Sequence, residues 1–197
     1  MIDLNQGYDS SVVFNDGVAG IVESVSLRAE NKKEDDKENA PNLKVIFVDS
    51  KGGEVNFGLW NIKADSQDPD KDLTNLGRTA KHIFHTIFGA TYVIPPFKDD
   101  VELIAGLKKA IDANPTLRYR VATNYGSESY PSDYLRVKKF VPFMENMAVK
   151  KEDTKLFMGK NDLLKKVTAD DAPMASGKPA TSWVSESAPE EGKDLPF

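Results

Sequence analysis

Between positions 43 and 60 the polar and apolar residues alternate as they do in a β-hairpin. Positions 43–49 are rich in β-branched and aromatic residues (Val45, Ile46, Phe47, Val48), and such side chains pack well on a pleated surface. Positions 54–60 return with Val55, Phe57 and Leu59 on one parity and Asn56, Gly58 and Trp60 on the other. Lys51-Gly52-Gly53 between them supplies the positive φ of a tight reversal. Upstream, Val12-Val13-Phe14 is a short apolar run closed by the turn signal Asn15-Asp16-Gly17. Positions 18–29 then alternate, with Ala19, Ile21, Val25, Leu27 and Ala29 against Ser24, Ser26 and Arg28, which predicts one long half-buried strand.

The period changes after position 72. Apolar residues at 73, 76, 80, 83, 84, 87 and 88 follow helical spacing, and Gly89 is placed to stop that helix. Val93-Ile94-Pro95-Pro96-Phe97 is held extended by its prolines. Asp99 or Asp100 caps a second helix with Val101, Ile104, Leu107 and Ile111 on its apolar face, ended by Asn114-Pro115. Alternation resumes at 117–123, with Leu117, Tyr119 and Val121 against Arg118, Arg120 and Ala122. It returns at 134–141, with Leu135, Val137 and Val141 against Tyr134, Arg136, Lys138 and Phe140. Positions 124–133 read as the loop between these strands. Beyond Pro142 the pattern is weak, with a short helix predicted over 161–166.

Three strands, helices and two strands are the element order of a five-stranded Greek-key barrel with its helices between the third and fourth strands, the OB-fold. The expected fold class is therefore mainly β with a helical insert. The expected organisation is an OB-fold-like domain over 1–150, a weakly ordered extension over 151–169 and a disordered acidic tail over 170–197.

Charge sharpens this division. The chain of 197 residues carries a formal net charge of −5. Residues 170–197 hold six acids and two lysines, net −4, which leaves −1 for residues 1–169. The body is thus near neutral, with room for a basic face. There is no cysteine, which removes disulfides, thiolate nucleophiles and Cys-based zinc sites. It is compatible with a reducing cytoplasm, the compartment expected here (a host's cytoplasm if the chain is viral). No apolar run approaches the ~20 residues of a membrane span, so no membrane partner is expected.

Residues 176–189 are rich in Ser, Pro, Ala, Gly and Thr, the composition of a tether. The chain then ends Glu190-Glu191-Gly192-Lys193-Asp194-Leu195-Pro196-Phe197. An aromatic anchor, a conformation-limiting proline and acidic neighbours at a free end make a hook for a basic-rimmed pocket. This hook resembles the C-terminal tip of single-stranded DNA-binding proteins, where acidic residues precede Ile-Pro-Phe. Asp194, Pro196 and Phe197 match residue for residue, Leu195 replaces Ile, and Gly192 and Lys193 dilute the acidic run. The overall layout looks more like the bacteriophage members, because the long Gly- and Gln-rich linker of the bacterial ones is absent. The resemblance implies replication, recombination or repair proteins as partners of the tip, and a homo-oligomer is compatible with it.

Non-specific single-strand binding requires cations for phosphates and aromatic faces for bases. Residues 117–151 supply both: seven cations against three acids, and four of the six tyrosines. The candidate nucleic-acid contacts are Arg118, Arg120, Tyr125, Tyr130, Tyr134, Arg136, Lys138 and Phe140, with Trp60 added from the polar parity of its strand. Tyr125 and Tyr130 are expected at the groove rim, and Tyr119 in the core. The rival explanation is structural, since aromatics are common cross-strand residues and cations protect an exposed edge. Enzyme signatures are weak, and no enzymatic activity, metal or cofactor is expected. His82 and His85 read as solvated helix histidines, and no phosphate-binding loop of the Walker type occurs. The alternative function is a protein-interaction module whose tail serves as an adaptor peptide, without nucleic-acid binding.

Overall fold

The computed structural model describes residues 14–33, 36–38, 40–138 and 140–166, all within one compact unit. The tail tip, Asp194 to Phe197, lies outside the described residues, as do Val12, Val13 and Lys139.

The hairpin at 43–60 forms as its pattern dictates. Strand β2 (Leu43–Val48) pairs antiparallel with β3 (Glu54–Leu59), and Gly52 turns the chain at φ 83°. A buried acid fixes this turn: Asp49 accepts backbone N–H bonds from Lys51 (2.7 Å), Gly53 (2.8 Å) and Phe14 (2.7 Å). That set satisfies a desolvated carboxylate and ties the buried Phe14 to the hairpin.

Strand β1 (Gly20–Asn31) is the long strand expected, with one correction. Its register slips between Val22 and Val25, where Ser24 adopts φ 57°. This β-bulge swaps the inward parity. Val22 is therefore the buried residue, and Ile21, assigned inward by simple alternation, is only half-buried.

Helix α1 (Pro69–Phe88) begins at Asp68, whose carboxylate accepts from the Lys71 N–H, and stops at Gly89 with φ 98°. Helix α2 (Asp100–Asp112) is capped by Asp99 and buries Ile104, Leu107, Ala110 and Ile111, while Val101, assigned to its apolar face, is exposed.

Strand β4 (Tyr119–Ser127) runs further than expected and is buried along nearly its whole length on both faces. Strand β5 (Tyr130–Val137) follows a tight turn at its end, and a short β6 (Met144–Asn146) pairs with β4's first residues. The order across the sheet is β3-β2-β1-β4-β5, antiparallel throughout, and β3 curls back towards β5. The result is a mainly-β, five-strand half-barrel with two helices. Its core joins the inner strand faces to Leu76, Ile83, Phe84, Leu107 and Ile111 of the helices.

The described residues beyond 150 pack on the body through Lys166. Tyr125 N donates to Leu163 O (2.8 Å), Leu163 N to Gly126 O (3.1 Å) and Ala19 N to Leu164 O (3.2 Å). Leu156 is buried. Residues 161–166 pack as an extended strap on the end of β4, not as a helix, because that end of the strand offers backbone groups that must be satisfied.

Candidate nucleic-acid interface

The cations and tyrosines of residues 117–151 divide into two classes. Arg120 is interior, at 5% exposure. Its Nε donates to Glu23 (3.0 Å) and its Nη1 to the Val149 carbonyl (2.8 Å) and Glu145 (3.4 Å). Lys151 joins the cluster through Glu23 at 3.3 Å. A guanidinium so enclosed neutralises two carboxylates inside the protein and presents nothing to a phosphate. Tyr125 is likewise buried, and its hydroxyl donates to the Gly17 carbonyl at 2.9 Å. These two residues leave the candidate set. Their positions inside a strand buried on both faces, not on a loop rim, are the reason. Tyr119 is in the core as expected, and burial pushes its phenol up to about 12.

Lys138 is also engaged within the fold. Its Nζ donates to the Phe157 carbonyl (2.8 Å), pairs with Asp162 (3.3 Å) and lies 3.8 Å from the centre of the Phe157 ring. Burial alone would raise the Asp162 carboxyl. The Gly159 N–H, the Asn124 amide and Lys138 outweigh it and hold the carboxyl below its ordinary value. This knot fastens the 156–164 strap to β4 and β5.

Arg118, Tyr130 and Tyr134 remain at the surface, the two tyrosines at 77% and 70% exposure. Arg136 is half-buried, with one Nη donating to the Tyr130 carbonyl (3.3 Å) and its Nε buried without a partner among the described residues.

The other predicted aromatics come together elsewhere. Trp60 (49% exposed) and Phe140 (71%) line one groove of about 950 Å³. One wall is the end of β3 and the segment after it, and the other is the first turns of α1. Local sequence builds this groove. A Cβ on Gly58 would lie 2.5 Å from Pro41 Cβ and 2.8 Å from Trp60 Cη2, so only glycine lets the indole lie across the strand beside Pro41. Asn61 N donates to Asn42 Oδ1 (2.8 Å) and Ile62 N to Asp100 Oδ2 (2.6 Å), which pins the segment after Trp60 to the body. At the opposite wall, Ser66 Oγ donates to Asp72 (2.7 Å) beside the Asp68 cap, fixing the first turn of α1.

Lys63, Lys71 and Arg78 line the same groove, with Asp65 and Asp72 as its acids. The three cations are exposed, and none takes part in an ion pair among the described residues. Sequence reading passed over them because they sit outside the charge-rich hairpin. The i, i+4, i+7 spacing of Lys71, Asn75 and Arg78 was not legible because the expected helix began at position 73, whereas α1 begins at Pro69.

His82 follows Arg78 by one turn on the same face of α1 and corrects the reading of a solvated histidine. Its Nε2 accepts from the backbone N–H of Phe143 (3.3 Å) and Met144 (3.4 Å), and its ring packs edge-on against Phe143 at 4.7 Å. Burial lowers its pKa to about 4. The neutral imidazole is thus a structural acceptor that fastens α1 to β6.

Among the described residues, no helix is long and apolar enough to cross a membrane. No protein-family model, curated protein or solved structure matches the chain.

Proposed function

We propose that this protein binds single-stranded DNA without sequence specificity, coats it during replication, recombination or repair, and recruits partner proteins through its C-terminal tip. The observation that carries this reading is the groove in which Trp60 and Phe140 stand exposed beside Lys63, Lys71 and Arg78. Aromatic faces accept any base, and cations accept any phosphate, so the combination suits a polymer bound irrespective of sequence. The strand order supports an OB-like assignment, since β1 sits between β2 and β4, β3 approaches β5, and the helices fall between the third and fourth strands. The tip Asp194-Leu195-Pro196-Phe197 supports the partner-recruiting role by its resemblance to the terminal hook of single-stranded DNA-binding proteins. Tyr130, Tyr134 and Arg136 form a secondary contact surface on the β4–β5 hairpin, and Arg118 stands before the opposite end of β4.

Titration with poly(dT) tests the proposal. With ~4–6 phosphates neutralised, log affinity against log salt slopes by roughly −3 to −4. Trp60 emission is read in a Trp183→Phe background, because the chain has two tryptophans. Quenching that disappears at high salt supports the reading. No binding at low salt assigns the chain to the protein-interaction class.

A further inference from the structure

We infer that helix α1 is the phosphate-binding wall of the groove: Lys71, Asn75 and Arg78, with Lys63 at the groove's entrance, hold the sugar–phosphate backbone while Trp60 and Phe140 take the bases from the opposite side. The inference rests on the single-strand reading and extends it to an element outside both the β-sheet and the charge-rich hairpin.

Three observations carry it. First, positions 71, 75 and 78 are spaced i, i+4, i+7 and therefore share one face of the helix. All three line the groove that Trp60 and Phe140 line. Second, the charges on this wall differ in their commitments. Asp72 already accepts from Ser66 Oγ at 2.7 Å, whereas Lys63, Lys71 and Arg78 enter no ion pair among the described residues. The cations are thus the groups available to an incoming anion. Third, both walls are held before any ligand arrives. Asn42 and Asp100 pin the segment after Trp60, the Asp68 cap fixes the first turn of α1, and His82 fastens the helix to β6. A preformed groove spares the ordering cost of binding. The arrangement also fixes polarity of function across the groove. Bases face β3, where Gly58 makes room for the indole, and phosphates face the helix.

The test measures anisotropy of a labelled oligo(dT) with the full-length chain across a salt series. The variants are the double substitution Lys71→Ala/Arg78→Ala, the charge-retaining Arg78→Lys, and Lys109→Ala, an exposed cation of α2 away from the groove. The double variant is expected to bind on the order of tenfold more weakly at low salt. Its salt slope should be shallower by about 1.4, since each single-strand phosphate contact contributes about 0.7. Arg78→Lys should keep the slope, and Lys109→Ala should keep both slope and affinity. Circular dichroism melts confirm that each variant is folded. If the double variant binds with unchanged affinity and slope while Trp60→Ala weakens binding, the wall assignment is wrong and the single-strand reading stands. If the unmodified chain does not bind oligo(dT) at any salt, both fall together.

Discussion

Two regions of this molecule carry both cations and aromatic rings, and the fold uses them in opposite ways. In the β4–β5 region, part of the segment 117–151 that holds seven cations against three acids, the fold turns several of these groups inward. Arg120 neutralises Glu23 and Glu145, Lys138 knots Asp162 and Phe157 to the sheet, and Tyr125 closes onto Gly17. In the groove between β3 and α1, fewer cations are present, yet Lys63, Lys71 and Arg78 stand exposed beside two rings. The availability of a charge, more than its local density in the sequence, decides whether it can meet a phosphate. Desolvation drives the difference. An arginine in a strand buried on both faces must find carboxylates, whereas a lysine on the outer face of a helix keeps its water until a ligand replaces it.

The largest effect expected from this contrast is on stability. Arg120→Ala removes the buried guanidinium that joins the half-buried Glu23 and Glu145, leaving Glu23 only Lys151 and Glu145 only Thr154 and the Lys155 N–H, and should cost about 3 kcal/mol, the low end for breaking a buried pair from one side. Urea unfolding measures it. A variant of unchanged stability with weakened DNA binding would return Arg120 to the interface and erase the distinction between the two regions.

The next effect tests whether α1 is anchored where the groove requires it. His82 has a folded-state pKa of about 4 against 6.5 for the free side chain. Between these values the unfolded chain takes up a proton that the folded state excludes. Its contribution is fully present above pH 6.5 and is lost as pH falls towards 4, by up to about 3 kcal/mol. His82→Gln should flatten that part of the stability–pH curve. An unaltered slope in the variant would show that the acceptor role at Phe143 and Met144 is not what holds the helix.

Much of the frame was legible in the sequence, because it follows from local rules. The β2–β3 hairpin, the Asp99 cap, the Gly89 stop and the core position of Tyr119 each depend on residues close in the chain. What could not be read depends on distant partners. The bulge at Ser24 leaves no glycine to announce it, yet it reverses which of Ile21 and Val22 is buried. Arg120 meets Glu23 across 97 positions and Glu145 across 25, so its alternation with apolar neighbours suggested a solvent-facing residue. Residues 161–166 lack strong periodicity because they form a strap held by backbone bonds between Leu163 and β4. Of the candidate groove, Trp60 and Phe140 were singled out by strand parity. The cations facing them were not, since nothing local to 63–78 says which face of the sheet the helix will meet.

The smallest effect in energy bears most directly on the central claim, that single strands bind at the groove and only secondarily at the hairpin. Anisotropy of labelled oligo(dT) is measured for Trp60→Ala and Tyr134→Ala at one low salt concentration, each variant first shown to be folded. Trp60→Ala is expected to lose ~1–3 kcal/mol of binding, the cost of removing one base-stacking ring, while Tyr134→Ala changes affinity less than about threefold, within the spread of surface substitutions. A full stacking loss for Tyr134→Ala with unchanged binding by Trp60→Ala would place the strand on the hairpin and contradict the groove.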